Sequence, residues 1–284
     1  MSGLVFAAVL LAALLHASWN ALLKGGADKD VSMAAIVIGH VPLALLAVPF
    51  APIPPVETLP WLAAGIALHL GYQLFLIAGY RIGDLTQVYP IARGVAPLIV
   101  ALVSATLLGV VLGRGEIVAI ALIASGIVSL ALVGRADRPW NPRAVVFALA
   151  TGCFIAAYSV VDGLGARVSG TALGYWAWSA LGNAVLFSLW TAMARPGALS
   201  RAFARPTALV GLVGGSASFV AYAMVVWAFT HAPIALVTAL RETSIVFALL
   251  IGVGMMGERV NLAKLAATTV TILGVVLLRL SRAT

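Results

Sequence analysis

Apolar residues fill this chain in long runs, and each run ends at a short cluster of charged, proline or glycine residues. The breaks read KGGADKD (24–30), PFAPIPPVE (49–57), RIGD (81–84), GRGE (113–116), GRADRPWNPR (134–143), DGLGARVSG (162–170), ARPGALSRAFARP (194–206), THAP (230–233) and GERVN (257–261). Nine breaks leave ten stretches, at about 3–23, 32–50, 59–80, 85–109, 116–133, 144–162, 172–193, 207–229, 234–256 and 262–280. A helix needs about 20 apolar residues to cross hydrocarbon. The pattern therefore predicts an all-α polytopic membrane protein with ten transmembrane helices and short loops. The first run, Leu4–Leu23, follows Met-Ser-Gly with no basic segment, so it reads as a retained spanning helix rather than a cleaved secretory signal.

Composition agrees with the pattern. Hydrophobic residues make up 63% of the chain and charged residues 9%, whereas a soluble domain carries about 25% charged residues. Too few charges remain to wet the surface of a soluble enzyme. The net charge of +8 is spread singly through loops, which fits anchoring against anionic lipid and argues against a nucleic-acid partner. The one cysteine, Cys153, cannot form an internal disulfide and reads as a small core residue in an apolar helix.

GRADRPWNPR falls near the midpoint and divides the stretches five and five. It separates a first repeat, 1–133, from a second, 144–284, with 134–143 as the connecting loop. An offset of 148 pairs Arg93 with Arg241, Gly109 with Gly257 and Gly126 with Gly274, and brings the stretch boundaries into step. An odd number of spans per repeat inverts one half relative to the other. Inverted repeats are the usual frame of an alternating-access transporter, with solute bound near the midplane between the halves.

The first-helix HASWNALLK and the closing GERVNLAKLAATTVTILGVVLL make the chain similar to EamA-type members of the drug/metabolite transporter superfamily. The resemblance spans nearly the whole chain and departs at position 110, where valine stands opposite Glu258. It implies a fold of two inverted five-helix repeats, residence in a bacterial inner membrane, and transport of small metabolites, often amino acid export.

Charges inside hydrocarbon are costly, so intramembrane polar residues mark candidate sites. Arg93 sits in VYPIARGVAP between Pro90 and Pro97, where irregular helix suits a protein-lined cavity better than lipid. Arg241 and Glu242 form its counterpart. Glu242 reads as the ion-pair partner of Arg93, leaving Arg241 for an anionic group; proton coupling is its competing role. On the first helix His16 and Asn20 share a face, with Trp19 close to it and Ser18 bonding back to a carbonyl. The third stretch adds His69, Tyr72 and Gln73 on one face. Tyr89 and Trp178 complete the predicted cavity lining, while Trp61, Trp140, Trp176, Trp190 and Trp227 are assigned to belts and core.

No phosphate loop, metal-ligand spacing or nucleophile elbow appears, so neither an enzyme, a cofactor nor a metal is expected. Loops after odd-numbered stretches hold eleven basic residues against four in the even loops and tail, which places the odd loops in the cytoplasm and both termini outside. Relatives with ten helices are often drawn the other way. The expected function is export of small metabolites by a monomeric carrier, amino acids with a lean to apolar or aromatic ones first. A carrier of drugs or phosphorylated metabolites, and a lipid-handling membrane protein, are the alternatives.

Overall fold

The computed structural model describes residues 1–25, 28–83, 85–133, 141–256 and 262–281. Gly257, Glu258, Trp140 and the basic residues Arg135, Arg138, Arg259 and Arg282 lie outside the described residues. Within them the chain is helical throughout, and no strand occurs. The helices are α1 (Gly3–Gly25), α2 (Lys29–Ile38), α3 (Val41–Ala47), α4 (Leu59–Ile82), α5 (Leu85–Thr106), α6 (Arg114–Val133), α7 (Pro142–Val168), α8 (Ala172–Ala194), α9 (Ala198–Phe203), α10 (Thr207–His231), α11 (Ile234–Arg241), α12 (Ser244–Met256) and α13 (Leu262–Leu280).

Seven helical segments among the described residues are long and apolar enough to cross a membrane: Gly3–Leu22, Lys29–Phe50, Val56–Ile82, Val88–Thr106, Pro142–Val168, Thr207–His231 and Ile234–Ile251. A shorter apolar helix spans Leu265–Leu280. The protein is thus an all-helical, multi-pass membrane protein by helix length and composition. α6 and α8 fall outside the seven. In α8, Tyr175, Trp176, Trp178, Ser179 and Asn183 dilute the hydrocarbon character.

Two of the apolar segments are broken. α2 gives way to α3 at Gly39–His40, and α11 to α12 at Glu242–Thr243. The second break lies in the interior and places a glutamate where the helix is interrupted.

Packing pairs off reciprocally under the 148-residue offset. That offset carries Leu59 onto Thr207 and Arg114 onto Leu262, so the start of α4 falls on that of α10 and the start of α6 on that of α13. Correspondingly, α7 lies along α4 and α1 along α10; α5 packs on α7 and α12 on α1; α8 meets α4 and α2 meets α10. At the α6–α13 crossing Gly126 faces Ala267 and Thr271, while Gly274 faces Ala119 and Ile123. Those are equivalent positions, 119 with 267 and 123 with 271. A Cβ at 126 would lie 2.8 Å from the Ala267 carbonyl oxygen, and one at 274 would lie 3.0 Å from that of Ala119, so both glycines let backbones approach closely.

Charged residues collect at the helix ends. At one end Asp30 pairs with Arg81 at 2.7 Å and Arg195 at 3.5 Å, and Asp28 with Arg201 at 3.0 Å. At the other, Arg167 donates to the carbonyls of Phe229 (2.7 Å) and Ala232 (3.1 Å), and Arg279 to that of Met1 (3.1 Å). Cys153 corrects its expected core role: it is exposed on the outer face of α7, where an apolar neighbourhood costs it nothing.

Candidate functional site: two linked buried polar clusters

One proline-bearing helix and one interrupted helix bring the first cluster together. Pro90 and Pro97 flank Arg93 within α5, and Glu242 occupies the α11–α12 break. Arg93 Nε lies 2.5 Å from Glu242 Oε2, with side chains 2% and 0% exposed. Arg241 Nη2 approaches the other carboxylate oxygen at 3.7 Å. Arg93 Nη2 also donates to Ser244 Oγ at 3.2 Å, and its guanidinium lies 5.8 Å from the Tyr89 ring. One carboxylate therefore serves two guanidiniums, closely for Arg93 and loosely for Arg241. A buried ion must be paired and hydrogen-bonded to be tolerated. Arg241 meets that need with aromatic groups: Nη2 donates to the Tyr158 hydroxyl at 3.4 Å, and the guanidinium sits 5.8 Å from the Tyr158 ring and 5.7 Å from that of Tyr222.

The second cluster centres on Asp162 of α7, which is fully buried. His69 Nε2 of α4 lies 2.8 Å from Asp162 Oδ2, and the Tyr222 hydroxyl of α10 donates to the same oxygen at 2.7 Å. The Tyr175 hydroxyl of α8 lies 3.1 Å from Oδ1 and 3.2 Å from the Trp61 carbonyl. Gly65 makes the room, because a Cβ there would stand 2.6 Å from Oδ1. The His69 ring stacks on Tyr158 at 4.3 Å, and Tyr72 meets Tyr158 edge-on at 5.6 Å. Tyr158 and Tyr222 each touch both clusters, so the two are one network.

Beside them Gln73 and Asn183 exchange amide hydrogen bonds at 2.8 and 3.3 Å. Both amides are buried and satisfy each other. On α1 the His16 ring meets Trp19 edge-on at 5.0 Å and lies within electrostatic reach of Arg93 and Arg241. Trp19 is buried, and its indole N–H has no acceptor among the described residues. Asn20 turns back on its own helix, donating to the His16 carbonyl at 2.8 Å, and Ser18 does the same to Leu14. A cavity of about 660 Å³ opens between α1, α2 and α10 at the Asp28–Arg201 end, walled by Leu22, Val31, Ile36 and Val210. Trp19 lies one turn below Leu22 on the same face of α1, and His16 one turn below Trp19.

His16, His69, Tyr72, Tyr89, Arg93, Arg241 and Glu242 are brought together, with Trp19 adjoining. Gln73 sits beside them in its own amide pair, and Asn20 is spent on its own helix. Trp178 is not part of the set: it is 40% exposed, because α8 turns Trp176 inward instead. Trp176, assigned from sequence to a belt or the core, is a core residue: it is buried, donates to the Phe219 carbonyl at 3.0 Å and packs 4.6 Å from Tyr222. Tyr158, Asp162, Tyr175 and Tyr222 stand out in the sequence as polar groups of the sixth to eighth apolar runs but are not among the residues predicted to line the cavity; the structure adds them. The signal available was Asp162 itself, an acidic residue at the end of an apolar run.

No family model and no curated protein matches the chain. A solved crystal structure of a protein is similar over 99% of this chain and 98% of its own length, at 20% identity and a TM-score of 0.78. That likeness is one of fold alone.

Proposed function

We propose that this protein is a membrane carrier of the EamA type, moving small metabolites that bear a carboxylate, amino acids first, by alternating access between two inverted five-helix halves. The observation that carries the reading is the buried Arg93–Glu242–Arg241 set at the α11–α12 break. A structural pair alone would need one arginine. The second is loosely held against two tyrosines, which leaves a planar fork suited to a carboxylate.

The reciprocal packing supports two equivalent halves, and the Gly126–Gly274 crossing is what a pseudo-twofold axis generates. Ion pairs join loops of odd-numbered stretches at one end, while the hydrogen bonds of Arg167 and Arg279 join even loops and termini at the other. That alternation supports ten crossings. The cavity above Trp19 lies between elements of the two halves, and the stripe Leu22, Trp19, His16 leads from it towards Arg241. The surrounding aromatic side chains suit an apolar or aromatic side chain on the cargo.

Counterflow tests the proposal. Proteoliposomes preloaded with one unlabelled amino acid are offered its labelled form, across the full set of amino acids. Saturable exchange of a few members is the expected result; no exchange of any, by folded protein, overturns the amino acid reading.

A further inference from the structure

The charges buried in the two clusters balance. Arg93 and Arg241 supply two positive charges, and Glu242 and Asp162 two negative ones. Glu242 is already shared between both arginines, so Asp162 is the counter-charge left for Arg241. It faces Arg241 through Tyr222, whose ring lies 5.7 Å from the guanidinium and whose hydroxyl donates to Asp162, and through Tyr158, which stacks on His69. A solute carboxylate on Arg241 would add one negative charge in an interior that screens poorly. Protonating Glu242 to compensate would strand Arg93, which has no other carboxylate within ion-pair distance among the described residues. The imidazole–carboxylate pair can take the proton without stranding anything, and histidine is the side chain whose charge changes nearest neutrality.

We infer that the His69–Asp162 pair is a proton-binding site, and that one proton enters it when a solute carboxylate occupies Arg241. The inference rests on the carrier reading proposed above. The groups facing the pair come from every neighbouring element: Tyr72 on α4, Tyr158 on α7, Tyr175 on α8, Tyr222 on α10 and Arg241 on α11, with Arg93 and Glu242 behind Arg241. His40, at the α2–α3 break, is within electrostatic reach of His69, and the Trp176 ring packs against both, 5.9 Å from His40 and 5.7 Å from His69. In the unloaded pair the imidazole N–H at Nε2 donates to Asp162 Oδ2; the added proton goes to Nδ1, which leaves an imidazolium against the carboxylate, and the tyrosine hydroxyls donate to the remaining lone pairs. Proton and carboxylate then favour each other's binding by the same factor, and net flux follows the sum of the two gradients.

Two measurements test this. In nanodiscs, ¹⁵N NMR of the histidine-labelled full chain resolves four histidines, and His69→Gln assigns one. The expected result is a His69 signal that gains a proton as pH falls, over a range that moves in Asp162→Asn. A His69 signal that stays neutral, or that Asp162→Asn leaves unchanged, overturns the site. In proteoliposomes with labelled phenylalanine, an acid-outside gradient should drive accumulation by the wild type. Whatever rate of exchange Asp162→Asn and His69→Gln retain, it should ignore the gradient, and Tyr222→Phe, a milder change, should shift the pH at which exchange responds. A wild type indifferent to the gradient, or an Asp162→Asn that still follows it, overturns the coupling. If the wild type exchanges no amino acid, the carrier reading falls, and the NMR titration still decides the proton site.

Discussion

Arg93 of α5 and Glu242 at the α11–α12 break meet at 2.5 Å with both side chains closed off from solvent. Prolines bracket the arginine within α5, and the glutamate sits where α11 stops. Removing one member of a buried pair leaves an uncompensated charge, which costs about 3–5 kcal/mol, whereas replacing both with apolar residues is often neutral. Glu242→Gln should therefore unfold in detergent far below the wild type, and Arg93→Met with Glu242→Met should recover most of the loss. Additive single effects in thermal melts would show that the pair is not coupled.

Gly65 sets the position of Asp162. Gly65→Ala would drive a Cβ into the carboxylate at 2.6 Å and towards the Tyr175 hydroxyl at 3.2 Å, at a cost of about 1–3 kcal/mol for overpacking. It should also blunt the response of exchange to pH. Gly254→Ala, where a Cβ meets nothing within 4 Å, should leave melting and exchange unaltered.

Trp176 and Trp178, two of the three tryptophans of α8, should behave oppositely. Trp176→Ala empties a space between His69, Tyr222 and Phe219 and should destabilise by about 3–5 kcal/mol. Trp178→Ala, on the outer face, should change stability by less than about 0.5 kcal/mol and leave exchange intact. Equal losses from the two would contradict their placement.

Trp19 should govern access from the cavity to the arginines. With Cys153→Ser as background, removing the exposed native thiol, a cysteine at position 16 should react slowly with a small polar thiol reagent while Trp19 is present. Adding Trp19→Ala should speed labelling by an order of magnitude or more. Equal rates would place the path to the site elsewhere.

Much of this was legible in the sequence because hydrocarbon is an unforgiving solvent. Apolar run lengths located the helices, and Arg93 and Arg241 announced themselves as buried cations that needed a counter-charge, which Glu242 provides. The breaks at Gly39–His40 and Glu242–Thr243 were not legible, since the apolar pattern runs through them. Nor was the Asp162–His69 pair: the partners lie 93 residues apart, and only the packing of α7 on α4 joins them. Trp178, expected from the sequence to line the cavity, lies on the outer face, while Trp176 packs in the core, because tryptophans two positions apart look alike in composition and helix rotation alone decides which faces inward. Asn20 shares the face of His16 as its spacing required, yet its amide is spent on a local carbonyl, which spacing does not report.

The most direct test of the carrier account is phenylalanine counterflow through wild-type protein and through Arg241→Lys, reconstituted at equal density. Saturable exchange by the wild type, and at least tenfold weaker apparent affinity in the lysine variant despite its retained charge, is the predicted result, because a planar fork is lost while the charge stays. Wild-type protein that exchanges no amino acid, or a lysine variant that matches it, would contradict the assignment of Arg241 as the carboxylate site.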